Sequence, residues 1–223
     1  MGYDLNFTLI WRNFDKLWGG LLLSLELALI SIAIGIVIGL VLAVAHVSGG
    51  RWVRAAIAAY VEAIRNVPLI LLVYLVFYGV PQVVDLRYGA TTSFVFTLSI
   101  YSGAYLVEVF RAGLEAIPEG QIDAGRAIGL TPWQRLIHVR LPAMARISLP
   151  ALSNTFISLF KDTSIASVIA VPELTYGAQW INFNTFRIVE VYLVVTAMYL
   201  VTGYALLFAL RRVERRFRVA RGA

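Results

Sequence analysis

The sequence predicts an all-α membrane protein with five transmembrane helices, and three observations lead there. Of its 223 residues 60% are hydrophobic, with a mean hydropathy of +0.78, whereas an ordinary soluble domain is about half apolar. The apolar residues gather into five runs, and about 20 such residues cross a bilayer core. The charged residues concentrate between and beyond these runs, so the net charge of +6 and the pI near 9.8 read as topology signals. A nucleic-acid surface would interleave basic and aromatic residues, which this sequence does not do.

From the N-terminus, Asn6 to Trp18 is an aromatic lead-in whose Phe7, Trp11, Phe14 and Trp18 suit a membrane interface. It lacks a basic n-region and a small-residue cleavage site, so the first apolar run is expected to remain as an anchor. That run, about 17–47, exceeds the needed length and is expected to tilt or protrude. Ser31, Gly35, Gly39 and Ala43 recur every four residues along it, a small-residue ridge on which another helix can pack closely. Glu26 lies inside the run. An intramembrane acid is a functional candidate, and the other reading places it hydrated near the outer interface.

The second run, about 52–80, follows a basic turn and is interrupted by Glu62, Arg65, Asn66 and Pro68. Pro68 removes one helical hydrogen bond and frees a carbonyl, and Glu62 and Arg65 are spaced to pair on one face. Either the break is a structural kink with a neutralised pair, or its fixed cation and open backbone meet a ligand's carboxylate. Pro81 to Ala90 reads as an outer loop. The third run, about 91–110, ends in Glu108, Arg111 and Glu115, spaced for ion pairs. The fourth, about 147–171, places Asn154, Ser158 and Lys161 on one face, with Asp162 turned from them by about 100°. Two charges midway along a span point to a wetted interior or to a buried pair that fixes helix packing. Pro172 to Arg187 reads as a second outer loop, and about 188–210 as the fifth run.

The most informative stretch is hydrophilic, 112–147. Pro118 and Glu119 suit a first helical turn, and Gly129 suits a left-handed stop. Thr131, Pro132 and Gln134 then form a restart with a capping box, and Pro142 is expected to close the second helix. Ala124, Gly125 and Ala127 give the first short helix a small-residue surface that another protein can approach closely. The bland reading is an interfacial hairpin resting on lipid.

Asp123-Ala124-Gly125, then Gly129, Val139 and Leu141-Pro142 have the spacing of the EAA loop, and the chain resembles the permease subunits of ABC importers. Asp stands here for the family's Glu, Gly for its second Ala and Val for its Ile. Arg65-Asn66-Val67-Pro68 and Lys161-Asp162-Thr163-Ser164 are similar to elements of the polar amino acid permeases, such as those for histidine, glutamine and glutamate. The resemblance covers most of the chain.

It implies a single permease domain over 1–223 with the type I importer fold, in which the loop between spans three and four is a cytoplasmic coupling helix. Gly120, Gln121, Asp123, Ala124, Gly125, Ala127, Gly129, Leu141 and Pro142 would then serve ATPase coupling. Arg65, Asn66, Pro68, Asn154, Ser158, Lys161 and Asp162 would line the substrate pathway. The implied partners are an ABC ATPase subunit, a second permease subunit (identical or homologous), a periplasmic substrate-binding protein, a polar amino acid and membrane lipid, in the bacterial inner membrane. Rival readings are a passive channel or scaffold with an interfacial loop, and a permease for an opine or another solute.

Orientation follows from counting. With the N-terminus outside, Arg51, Arg54, Arg111, Arg126, Arg135, Arg140, Arg146 and the tail arginines 211, 212, 215, 216, 218 and 221 fall on the inner side. Only Arg12, Lys16, Arg87 and Arg187 fall outside. The positive-inside rule thus selects N-out and C-in. No P-loop sequence occurs, so ATP and Mg are expected on the partner, with no cofactor and no catalytic residue in this chain. There are no cysteines, and His46 and His138 stand far apart, so neither a metal site nor a triad is expected.

Overall fold

The computed structural model describes residues 4–217, and every element in that range is helical. Arg218 and Arg221 of the basic tail lie outside the described residues. A short α1 (Thr8–Arg12) precedes the long α2 (Phe14–Ser48). α3 (Arg51–Arg65) is amphipathic, with only Ile57 and Val61 buried. α4 (Leu69–Tyr74) runs through a π-helical turn, Leu75–Gly79, into α5 (Val80–Val84). α6 spans Ala90–Glu115; α7 (Glu119–Ala127) and α8 (Pro132–Arg135) form a hairpin. A second π turn, Leu136–Arg140, leads into α9 (Leu141–Asp162), which tightens to a 3-10 segment at Thr163–Ile169. α10 (Leu174–Thr185) and α11 (Ile188–Phe217) complete the chain.

Among the described residues three helices, α2, α6 and α11, are long and apolar enough to cross a membrane, and there are up to five spans if each of two broken pairs counts as one. The second expected span is one of those pairs. Asn66 caps α3 in the right-handed region while Pro68 is extended (φ −56°, ψ 133°), so the helix stops there and restarts.

Two expected helix ends are corrected, both for one physical reason. Neither Pro81 nor Pro142 stops its helix; each follows a π turn by two residues, with the Val80 N–H donating to Leu75 O and the Leu141 N–H to Leu136 O. A proline ring clashes with the carbonyl four residues back and offers that carbonyl no N–H. The widened turn re-routes the bonding one residue upstream, so the helix passes the proline. The second expected outer loop is corrected too, because 174–185 within it is helix α10, with Leu174, Gly177, Ala178 and Ile181 buried.

The chain divides into two compact units, 1–33 with 67–99 and 156–206, and 34–66 with 100–155 and 207–223. In the first, Leu17, Leu27, Phe94, Phe160, Leu174 and Ile181 are fully or almost fully buried, and the Phe160 ring lies 5.6 Å from that of Tyr199. Gly20 is forced by packing: a Cβ there would sit 2.7 Å from the Glu173 carbonyl carbon. In the second unit the ridge residue Gly39 abuts α6, where a Cβ would meet Leu106 Cβ at 2.6 Å. This part of the ridge, expected to serve assembly, is therefore used within the chain. Val107 packs with Ile57 and Val61 in the same unit, flanked by Leu42, Ala45 and Tyr60.

Candidate functional site: a coupling hairpin and a polar helix face

The hairpin forms where its caps place it. Pro118 (φ −57°, ψ 133°) occupies the cap position of α7, and Glu119 follows in the first turn, where a carboxylate opposes the helix dipole. Gly129 takes φ +81°, a left-handed value that favours glycine. The Leu130 N–H donates to Gly125 O at 3.0 Å, and the Gly129 N–H to Arg126 O at 3.0 Å, which closes the carbonyl end of α7. The Thr131 hydroxyl accepts from the Gln134 N–H at 3.3 Å, and the Gln134 side chain accepts from the Thr131 N–H at 2.9 Å, the full capping box.

The two short helices are locked together from inside. Gly125 is buried, and a Cβ on it would lie 3.4 Å from the Arg135 methylenes and 3.5 Å from Val139. Arg135 reaches on to Leu130 O, 2.5 Å from its Nη1. Gly125 is thus the seat of α7 on its own hairpin, which corrects its expected place on an outward small-residue surface. The outward side carries Gly120, Gln121, Asp123, Ala124, Ala127 and Gly129, all exposed, with a surface ion pair between Asp123 and Arg126 at 2.7 Å. Beside them Ile128 and Trp133 are 76% and 67% exposed. Sequence reasoning missed these two, although an isoleucine and a tryptophan flanking a glycine stop are apolar residues with no helix interior to enter. Leu141 is half-buried and Pro142 exposed, both inside the continuing helix.

Upstream, Arg111 clamps the end of α6. It donates to Glu108 at 2.7 Å and to both oxygens of Glu115 at 2.9 Å, as the spacing leads one to expect.

In the second unit Arg65 and Asn66 are exposed at the end of α3. Arg65 sits over the Tyr105 ring at 5.0 Å instead of pairing with Glu62, and the Asn66 amide donates to the Glu62 backbone carbonyl at 2.8 Å at the end of the helix. Asn154, Ser158 and Lys161 are all exposed on one face of α9, and Asp162 is half-buried at its end. Pro68 is exposed ahead of α4. Glu26 is exposed on α2.

A residue that sequence reasoning passed over holds the first unit. Glu173, fully buried, accepts from the Thr175 and Tyr176 N–H groups at 2.9 and 2.8 Å, from the Tyr199 hydroxyl at 3.1 Å and from the Ser24 hydroxyl at 3.3 Å. It is the side-chain cap of α10 and ties that helix to α2 and α11. Glu190, also fully buried, accepts the Asn6 N–H at 2.9 Å and pairs with Arg187 at 3.3 Å. The only early sign of the first was an acid placed just before an apolar segment.

The profile of the binding-protein-dependent transport system inner membrane component family matches residues 35–219. This chain belongs to that family. Its transport-permease relatives include the glutamine transport system permease protein GlnP of Escherichia coli strain K12, 36% identical over 216 residues, covering 96% of this chain and 98% of that one. The L-cystine transport system permease protein TcyB of Bacillus subtilis strain 168 is 36% identical over 218 residues, covering 97% and 93%. Among solved structures, that of an amino acid ABC transporter with histidines matches at a TM-score of 0.88 and 32% identity, over 96% of this chain and all of that one. An inward-facing MetNI methionine transporter shares the fold at a TM-score of 0.79 and 22% identity. The chain is accordingly a multi-pass permease component with the type I importer fold.

Proposed function

We propose that this permease imports a polar amino acid across the bacterial inner membrane as one of two permease subunits, with ATP hydrolysed by a separate subunit. A periplasmic binding protein delivers the solute, and the N-terminus faces outward. The amino acid class is supported by the relatives' names and by the Arg65-Asn66-Val67-Pro68 and Lys161-Asp162-Thr163-Ser164 elements. The observation that carries the coupling role is the hairpin itself: a short helix, rigidly seated by Gly125, that presents backbone, small residues and two apolar side chains outward.

A helix of nine residues is too short to be stable alone. Seated on its own hairpin, it acts as a rigid peg, and a partner that binds the peg moves α6 and α9, to which it is covalently joined. An ATPase with different affinity for two positions of that peg shifts the permease between two states, the only way a ligand drives such an equilibrium. The exposed Asn154, Ser158 and Lys161 face is the wall we assign to the solute, where Lys161 offers a charge-assisted bond to a carboxylate.

The test is assembly and uptake together. Gly129→Asp, which puts a charge between Ile128 and the cap of α8, is expected to abolish co-purification of the ATPase while the permease still inserts. Lys161→Ala is expected to keep assembly and lower uptake of the labelled amino acid selected in a screen with the cognate binding protein. Normal ATPase capture by the first variant sinks the coupling role, and wild-type uptake by the second removes Lys161 from the wall.

A further inference from the structure

The second unit contains a cavity of about 200 Å³ lined by His46 of α2, Ile57, Ala58, Val61, Glu62 and Arg65 of α3, and Glu108 of α6. Its floor is apolar, because Ile57 and Val61 are buried against Val107. Its rim is charged with both signs. Its seven lining residues divide into three apolar and four titratable side chains, so it offers a surface for carbon beside groups that can fix a ligand's orientation.

We propose that this cavity is a second amino acid site, on the coupling side of the permease, that binds the free zwitterion after transport and slows the next cycle. The inference deepens the function proposed above and rests on it. Arg65 lies over the Tyr105 ring at 5.0 Å, a cation–π contact that holds it at the rim. A guanidinium presents its N–H donors in a planar fork that matches a carboxylate. Glu62 and Glu108 provide two carboxylates for the ligand's ammonium group, and Ile57, Ala58 and Val61 a surface for its aliphatic carbons.

The alternatives fit worse. An inorganic anion meets Arg65 beside Glu62 and a Glu108 already paired with Arg111, so it finds no net positive charge to hold it. A metal ion meets the guanidinium, and among the described residues no group of three or more His, Cys, Asp or Glu side chains converges as a ligand set. A zwitterion satisfies both signs at once, and the small volume suits a molecule of amino acid size.

The connection to coupling is also in place. Glu108 shares Arg111 with Glu115, and α6 ends at Glu115, three residues before the Pro118 cap of α7. An ammonium that engages Glu108 competes with Arg111 for the same carboxylate. Occupancy of the cavity therefore loosens the clamp at the root of the hairpin.

The experiment uses the whole importer, with ATPase and binding protein, reconstituted in proteoliposomes. L-glutamine is the probe, labelled outside and unlabelled in the lumen, and inorganic phosphate in the lumen is the control. Lumenal glutamine is expected to slow uptake where phosphate does not. Glu62→Gln and Ala58→Leu, which alter the rim charge and fill the floor by independent means, are each expected to raise the inhibiting concentration about tenfold, a loss of about 1.4 kcal/mol of binding. Uptake that proceeds unchanged against lumenal glutamine overturns the inference and leaves the proposed function standing, as does inhibition with the same midpoint in both variants. Failure of the wild-type importer to take up glutamine or any other amino acid overturns the function as well.

Discussion

Thr131 and Glu173 do the same local job and differ in almost everything else. Each side chain caps a helix N-terminus, Thr131 for α8 and Glu173 for α10. The Thr131 cap is exposed and closed entirely within four residues of sequence. The Glu173 cap is fully buried and also accepts from Ser24, 149 positions away, and from Tyr199, 26 positions away. Burial makes a charged cap a structural centre, because every donor around it has lost water as an alternative partner. An exposed cap can be replaced by solvent.

The comparison is broken hardest at the buried cap. Glu173→Ala leaves the Thr175 and Tyr176 N–H groups without their acceptor and is expected to cost about 2–5 kcal/mol, at about 1–3 kcal/mol for each unsatisfied buried donor. A thermal melt of the detergent-solubilised permease reads this directly, and a melting point within one or two degrees of wild type would contradict it. Gly20→Ala attacks the same place from α2 by pushing a methyl group to 2.7 Å from the Glu173 backbone. Overpacking of this kind costs about 1–3 kcal/mol, again read as a lowered melt.

At the exposed cap the effects are smaller. Thr131→Ala is expected to cost about 1 kcal/mol of local stability, visible as faster amide exchange across 133–135 with an unchanged global melt. Exchange rates equal to wild type would show that the box contributes nothing. Smallest of all is Gly125→Ala. Its methyl group meets Arg135 and Val139 at 3.4–3.5 Å, ordinary contact distance, and alanine is the better helix former by about 1 kcal/mol. Unchanged or raised stability with normal ATPase capture is expected, and lost capture would show that the seat is tighter than these distances imply.

The same contrast explains what was readable in advance. The hairpin was legible because its signals are short-range: Gly129 stops, and Thr131, Pro132 and Gln134 restart, within six residues. The five apolar runs were legible because composition alone reports them. Glu173 was not, since its meaning lies in Ser24 and Tyr199, and no local pattern names them. Gly125 was read as facing outward because spacing gives a helix face but not which face its neighbour covers. Arg65 was expected to pair with Glu62 three residues before it, a spacing rule that fails where Tyr105 supplies a competing surface from another helix. Pro81 and Pro142 misled for a different reason, as a stop signal is valid only when the preceding turn is regular.

The π turn before Pro142 has one more effect. A turn closed over five residues instead of four holds one residue in excess, and one residue on a helix is an angular step of about 100°. Asn154, Ser158 and Lys161 therefore look where they do because of a phase offset introduced at Leu136–Arg140. Trimming a single residue from that turn would swing the whole row sideways without altering any of its side chains, so the aim of the row is written well outside it.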